Sequence, residues 1–213
     1  MLDLGHDIPV NLNIRRLSIA TFLAAATLCI SIHAETPSHT PRDTSATTDQ
    51  LAGNTVLIVR HAEKPLLGRE LTRAGEARAN AYIHYFEPFQ EGGLNIRVNA
   101  LYSGSDSPDS VRPRLTLEPL SRATGLPLDS SISTKEPAAL VTLLRTQPHG
   151  NHPLVAWRHG SVPGLLTAFG VSPDLIPGGK WPDDIYDWVI ILTFDSAGHL
   201  HSSQLVHENL TIP

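Results

Sequence analysis

Two short apolar runs that each end in Arg-His stand out in this chain. Residues 56–59 precede Arg60-His61, and residues 154–157 precede Arg158-His159. A continuous apolar run bounded by polar residues is typical of a strand buried on both faces, as in a parallel sheet covered by helices. Ligands of open α/β sheets bind beyond the carboxyl ends of such strands. If the two strands are neighbours, both histidines face the same crevice.

The remaining pattern alternates strands with helices. Strands are predicted at 55–59, 98–102, 127–128, 154–157, 189–194 and 199–206. Helices are predicted from Thr72 to Tyr85, from Ser110 onward with Pro119 kinking or ending it, at 136–145 and at 162–169. The last two strands are joined by a short turn and form a hairpin. The expected fold is a three-layer α/β/α domain whose mostly parallel central sheet carries a C-terminal antiparallel hairpin.

The N-terminal segment has the order of a secretory signal. Arg15-Arg16 precede an uncharged apolar run, 17–32, and Ala34 follows as a small residue at which cleavage is expected. We therefore expect a signal peptide at 1–34, a flexible leader at 35–53, a catalytic domain at 54–213, and export to the periplasm. A retained membrane anchor at 17–32 is the alternative, and a buried core helix is a third interpretation.

Composition restricts the function classes. The 213 residues suit one domain with a sizeable core. The net charge of −5 argues against a general nucleic-acid binder, which usually shows a basic face. The single cysteine, Cys29, lies inside the apolar run, so the mature protein would contain no disulfide. No protein partner can be inferred from the sequence.

Four side chains form a candidate site for a phosphorylated ligand. Arg60 and His61 follow one predicted strand, His159 follows another, and Arg112 lies at the start of a predicted helix, where backbone N–H groups favour an anion. Arginine presents a fork of donors suited to phosphate oxygens. A neutral imidazole beside such cations is a competent nucleophile toward phosphorus, and this chemistry needs no metal. Either histidine alone would more often be structural.

Four segments also resemble known motifs, in a matching order. The sequence Val59-Arg60-His61-Ala62-Glu63 resembles the Arg-His signature of the histidine phosphatase superfamily, which includes the phosphoglycerate mutases. The other matching segments are Leu71 to Ala77, Arg112 with Thr116, Pro119 and Leu120, and His159-Gly160 with Leu165-Leu166. The resemblance implies a phosphoglycerate mutase-like fold. It also implies hydrolysis of a phosphomonoester through a phosphohistidine on His61, with Arg60, Arg112 and His159 holding the phosphate and no cofactor or metal.

Other site residues are less sharply indicated. Asp106 is our first choice for the acid that protonates the leaving group, Asp109 the second and Glu63 the third. Glu63, Lys64 and Arg158 are candidate substrate contacts, although Arg158 is equally compatible with a solvent-facing position. The segment 178–184 either overhangs the crevice or is a surface loop pinned by a buried Trp181.

Two functions from different classes follow. The first is a metal-independent phosphatase acting on a small phosphorylated substrate. The alternative is a catalytically weak or inactive protein of the same fold that acts as a scaffold, either by binding a phosphorylated ligand or phosphate or by associating with the membrane through its N-terminal segment. A mutase would need sugar-phosphate contacts that the sequence does not reveal.

Overall fold

A computed structural model describes residues 48–212. The strands are β1 (Thr55–Arg60), β2 (Ala100–Ser103), β3 (Leu128–Asp129), β4 (Pro153–Trp157), β5 (Trp188–Phe194) and β6 (Leu200–His207). The α-helices are α1 (Arg73–Tyr85), α2 (Arg112–Thr124), α3 (Pro137–Thr146) and α4 (Val162–Ala168), and short 3₁₀ turns cover His159–Ser161, Pro173–Leu175 and Pro177–Gly179. The predicted signal peptide, with its alternative as an anchor, lies outside the described residues.

The strands form one six-stranded sheet in the order β3-β2-β4-β1-β5-β6. The first four are parallel, whereas β5 is antiparallel to β1 and to β6. The predicted mostly parallel sheet with a C-terminal hairpin is therefore confirmed. β1 and β4 are neighbours, with Arg60 paired to Trp157, and the backbone N–H of His61 donates to the Trp157 carbonyl at 2.9 Å. Both Arg-His pairs therefore lie at the same side of the sheet, at the carboxyl ends of β1 and β4.

Helices cover both faces of the sheet. On one face α1 and α2 pack against Leu57 and Val59 of β1, and on the other α3 and α4 pack against Val56 and Ile58. Since successive side chains of a strand point to opposite faces, β1 must be apolar at every position to be buried on both. This three-layer arrangement explains the uninterrupted apolar run in the sequence.

Helix α2 is longer than the sequence predicts. Pro119 was expected to kink or end it, but α2 continues to Thr124 and stops at Gly125, whose φ of 75° is left-handed. The proline removes one backbone hydrogen bond. Leu117 and Leu120, on either side of it, are fully buried against the sheet. Their burial offsets that loss, as tertiary packing commonly does for helices.

The folded domain also begins earlier than predicted. Leu51, placed by the sequence in a flexible leader, is fully buried in the core beside α3 and β5. Next to it, the backbone N–H of Gln50 donates to the carbonyl of Arg145 at 2.9 Å, and the Arg145 side chain forms an ion pair with Asp49. Within residues 48–212, no helix combines the length and apolar character needed to cross a membrane.

Candidate active site

The His61 ring is held in one orientation just after β1. Its Nδ1 lies 2.7 Å from the carbonyl oxygen of Ala62, and the Ala62 backbone N–H donates to Thr116 Oγ1 of α2 at 2.8 Å. A carbonyl oxygen only accepts, so Nδ1 carries the proton and donates it. Nε2 is therefore the nitrogen with the free lone pair, which is the form a nucleophile requires.

The charge state of His61 follows from its surroundings. Burial, together with the charges of Arg60, Arg112 and His159, lowers the pKa of this imidazole to about 3, against the opposite effect of the hydrogen bond to the Ala62 carbonyl. His61 is therefore neutral at pH 7. Arg60 directly precedes His61, and the ring centre of His159 lies 5.6 Å from that of His61.

Arg60 is almost completely buried, with 1% of its surface exposed. Its Nη1 donates to the carbonyl oxygens of Pro182 at 2.8 Å, Asp183 at 3.2 Å and Ile185 at 2.5 Å, and its guanidinium lies 3.8 Å from the centre of the Tyr186 ring. Burial lowers its pKa to about 10, so it stays charged at neutral pH. Its Nε and Nη2 are buried and have no hydrogen-bond partner among the described residues.

Arg112 occupies the first position of α2, as the sequence predicts for an anion-binding arginine. Its Nη1 donates to the Gly68 carbonyl at 2.9 Å and its Nη2 to the Asp109 carbonyl at 3.3 Å. Its buried Nε has no partner within residues 48–212. The pKa of Arg112 is lowered, first by burial and then by the charge of Arg158, whose side chain is partly exposed.

His159 faces His61 edge-on, with 5.6 Å between the ring centres and an angle of 79° between the rings. Its Nε2 lies 2.6 Å from Asp183 Oδ1. Burial lowers the pKa of His159 to about 4, and the charges of Arg60 and Lys64 add to this effect. At pH 7 the ring is neutral, so Nε2 carries its proton and donates it to Asp183.

Together these groups form a cationic recess. Arg60 and Arg112 contribute three buried N–H-bearing nitrogens that lack partners among residues 48–212, and His61 contributes the free lone pair of Nε2. Buried donors are normally paired, so such a set suits an oxyanion with several oxygens. Within the same residues, no group of three or more His, Cys, Asp or Glu side chains is arranged to hold a metal ion.

Comparisons with known proteins found similarity in solved structures only. No family model and no curated protein sequence matches the chain. The protein histidine phosphatase SixA bound to tungstate is 18% identical with a TM-score of 0.47, over 70% of this chain and 96% of that one. Similarity also extends to phosphoglycerate mutase from Plasmodium falciparum, which is 14% identical with a TM-score of 0.46, over 75% of this chain and 94% of that one. A mycobacterial glucosyl-3-phosphoglycerate phosphatase bound to phosphate is 15% identical with a TM-score of 0.46, over 74% of this chain and 98% of that one.

These similar structures are histidine phosphatase superfamily members. It is the family that the four sequence motifs resemble. At such identities and TM-scores, only this chain's own side chains can indicate its chemistry.

The three carboxylates predicted as proton donors are exposed or paired with arginines other than Arg60 and Arg112. Asp106, the first choice, accepts from Arg114 at 3.1 Å and is exposed. Arg114 follows Arg112 by two positions, roughly 200° around the helix axis, so a carboxylate paired with it is drawn away from Arg112. Asp109 is exposed and contacts Arg112 only through its backbone carbonyl. Glu63 forms an ion pair with Arg78 at 2.9 Å.

A neighbouring segment supplies site residues that sequence reasoning missed. Asp183 bonds to His159 and lies 3.4 Å from Lys64 Nζ, which holds the pKa of the carboxyl below its usual value. Tyr186 covers Arg60. Trp181 is buried and donates from Nε1 to the Ile185 carbonyl at 2.8 Å, so the pinned-loop interpretation holds for this side chain. The only signal in the sequence was the position of 178–184 after the His159 helix.

Proposed function

We propose that this chain hydrolyses phosphomonoesters with His61 as the nucleophile. The observation that carries the proposal is the His61 ring, fixed through Nδ1, neutral, and beside unpartnered N–H groups of Arg60 and Arg112. Such an arrangement combines a nucleophile in its reactive form with positioned donors for the phosphoryl oxygens. No metal or cofactor is required by these groups.

In the proposed first step, His61 Nε2 attacks phosphorus while the bond from phosphorus to the ester oxygen breaks. The departing oxygen takes a proton from solvent water, and the guanidinium groups of Arg60 and Arg112 stabilise the charge on the remaining phosphoryl oxygens. The phosphorylated ring becomes cationic, and the Ala62 carbonyl that accepts from Nδ1 stabilises that charge. Water then attacks phosphorus, releasing inorganic phosphate and restoring the neutral imidazole.

A phosphate-binding protein with little turnover is the second candidate. It is favoured by the placement of Asp106 and Glu63, whose carboxylates pair with arginines outside the recess. Without a positioned acid, esters of ordinary alcohols would react slowly. An aryl phosphate separates the two functions, because its good leaving group needs little protonation.

The test is hydrolysis of 4-nitrophenyl phosphate by the wild type and by His61→Ala. We expect the wild type to release phosphate and to trap a base-stable phosphohistidine after alkaline quenching, and the variant to do neither while keeping its circular dichroism spectrum. His207→Ala is the matched control, since His207 is exposed on β6 and its ring contacts Asp187 and Trp188. Turnover by His61→Ala at the wild-type rate would refute the mechanism. Phosphate binding in calorimetry without turnover would favour the binding protein.

A further inference from the structure

A cavity of about 520 Å³ opens beside the phosphate recess. It shares Arg112 with the recess, and its wall also contains Lys64, Leu66, Asp183 and Tyr186. This volume falls in the range of small-molecule sites and exceeds what a single phosphate group requires. The space lies where the alcohol part of a phosphate ester would extend from Arg112.

Leu66 lines this cavity, and both Leu66 and the adjacent Leu67 have their side chains in solvent. Leu66 is 104% exposed and Leu67 is 90% exposed, and they are the only exposed large hydrophobic side chains among residues 48–212. A single exposed leucine is ordinary on a protein surface. An adjacent pair that begins at the wall of this cavity, and has no counterpart elsewhere in the described domain, indicates an apolar ligand surface.

The loop that carries the leucines is fastened to the recess. The Gly68 carbonyl accepts from Arg112 Nη1 at 2.9 Å, and the Arg69 carbonyl accepts from the Val111 N–H at 3.1 Å. Gly68 has a φ of 106°, which residues with a side chain rarely adopt, so the turn after the leucines depends on glycine. These contacts hold Leu66 and Leu67 at a set distance from the guanidinium of Arg112.

We propose that Leu66 and Leu67 bind the alcohol part of the substrate, and that the substrates are phosphomonoesters of apolar alcohols, alkyl or aryl. The inference rests on the proposed function, because it assumes that the phosphoryl group occupies the recess. The guanidinium of Arg112 then lies between the phosphoryl group and the apolar chain. Lys64 and Asp183 also line the cavity, so part of its wall suits polar substituents.

The test measures the dissociation constants of methylphosphonate and n-hexylphosphonate by calorimetry with the full chain. Neither compound is hydrolysed, so binding is measured independently of turnover. Complete burial of one methylene corresponds to roughly fourfold in affinity, so half-burial of the five additional methylenes gives roughly thirtyfold tighter binding of the hexyl compound. We expect the wild type to show such a ratio and the Leu66→Ser/Leu67→Ser variant to show a ratio near one.

The matched control is Leu66→Met/Leu67→Met, which keeps the apolar surface and should keep the dependence on chain length. Both leucines are exposed, so neither variant is expected to unfold, and thermal unfolding midpoints check this. A ratio near one in the wild type, or a serine variant that retains the wild-type ratio, would overturn the inference. So would a wild-type ratio near one together with a dimer that the serine variant loses in light scattering, since the leucines would then join two copies of the chain.

The two proposals fail in different ways. A wild type that prefers the hexyl compound but does not hydrolyse 4-nitrophenyl phosphate would retain the apolar subsite and refute the hydrolase. A wild type that hydrolyses the ester but binds the two phosphonates equally would retain the hydrolase and refute the apolar subsite. Absence of binding by either phosphonate would refute the subsite along with the phosphate recess.

Discussion

Burial determines the charge state and the orientation of the individual side chains in this site. Arg60 and Arg112 keep their charge while almost enclosed, because backbone carbonyls accept from part of each guanidinium and leave other nitrogens available. Such pre-oriented donors need little rearrangement when negative charge develops. The same burial keeps His61 neutral. Burial therefore accounts both for the neutral imidazole that would act as the nucleophile and for the oriented N–H donors that would assist it.

Arg112→Ala should lower kcat for 4-nitrophenyl phosphate by roughly 100- to 1,000-fold, the cost of deleting one positioned donor. Arg112→Lys should recover only part of this, because an ammonium cannot bond to the Gly68 and Asp109 carbonyls and still offer a planar fork. Steady-state kinetics measure both effects. Arg114→Ala, two positions further on, is the control and should change kcat little. Equal losses at Arg112 and Arg114 would contradict this assignment.

At the scale of elements, the start of α1 supports the loop that follows His61. Thr72 caps the helix, accepting from the Gly75 N–H at 3.1 Å, and its own N–H donates to the Glu63 carbonyl at 2.9 Å. A Cβ on Gly75 would lie 2.6 Å from that same carbonyl oxygen. Helix and loop therefore touch backbone to backbone, which only glycine permits here.

Gly75→Ala should destabilise the protein by about 1–3 kcal/mol, the usual cost of overpacking, and should reduce aryl phosphatase activity by shifting the loop. Gly164→Ala, inside α4, is the matched control: its Cβ would meet nothing nearer than Pro137 Cγ at 3.8 Å. That change should stabilise the helix by about 0.5–1 kcal/mol. Urea unfolding and phosphatase assays measure both. A Gly75→Ala variant as stable as Gly164→Ala would show that the close contact is absent.

At the scale of the whole molecule, a buried charge cluster joins the segment after β6 to helix α1 and to the loop after His61. Glu208, just after β6, pairs with Arg78 of α1 and accepts from the Tyr82 hydroxyl at 2.5 Å. Arg78 also pairs with Glu63 in the loop after His61. Three parts of the chain that are distant in sequence thus depend on one arginine.

This cluster should make stability depend on pH. Burial, which outweighs the attraction of Arg78, raises the pKa of Glu208 from 4.5 to about 7. The folded state therefore binds the proton more tightly than the unfolded state. The stabilisation is complete below pH 4.5 and is lost as the pH rises through 7. Relative to Glu208→Gln, the wild type should lose about 3 kcal/mol of unfolding free energy over that range.

Urea unfolding of both proteins from pH 4 to pH 8 measures this difference. His61 and His159 also affect stability at acid pH, because their pKa values are lowered, but they are present in both proteins and their contribution cancels. A wild type that gains stability relative to Glu208→Gln as the pH rises would show that Glu208 is ionised and that the ion pair dominates.

Some residues of the site could be predicted from the sequence and others could not. Arg60, His61, Arg112 and His159 were predicted because each follows a recognisable local pattern, a strand exit or a helix start. Asp183 and Tyr186 were missed, since they lie in an irregular segment whose path no local pattern specifies. Asp106 was proposed as an acid from its loop position alone, and its pairing with Arg114 depends on which way α2 is rotated.

By itself, the sequence determined the type and order of the elements and the face each buries, because apolar periodicity is a local property of the chain. It also determined the chemical character of the recess through two Arg-His pairs. Tertiary structure alone decided that β4 lies beside β1, that Leu51 belongs to the core, that α2 continues past Pro119, and which carboxylates reach the histidines. Each of these depends on contacts between distant residues, whose free energies appear only when the layers pack together.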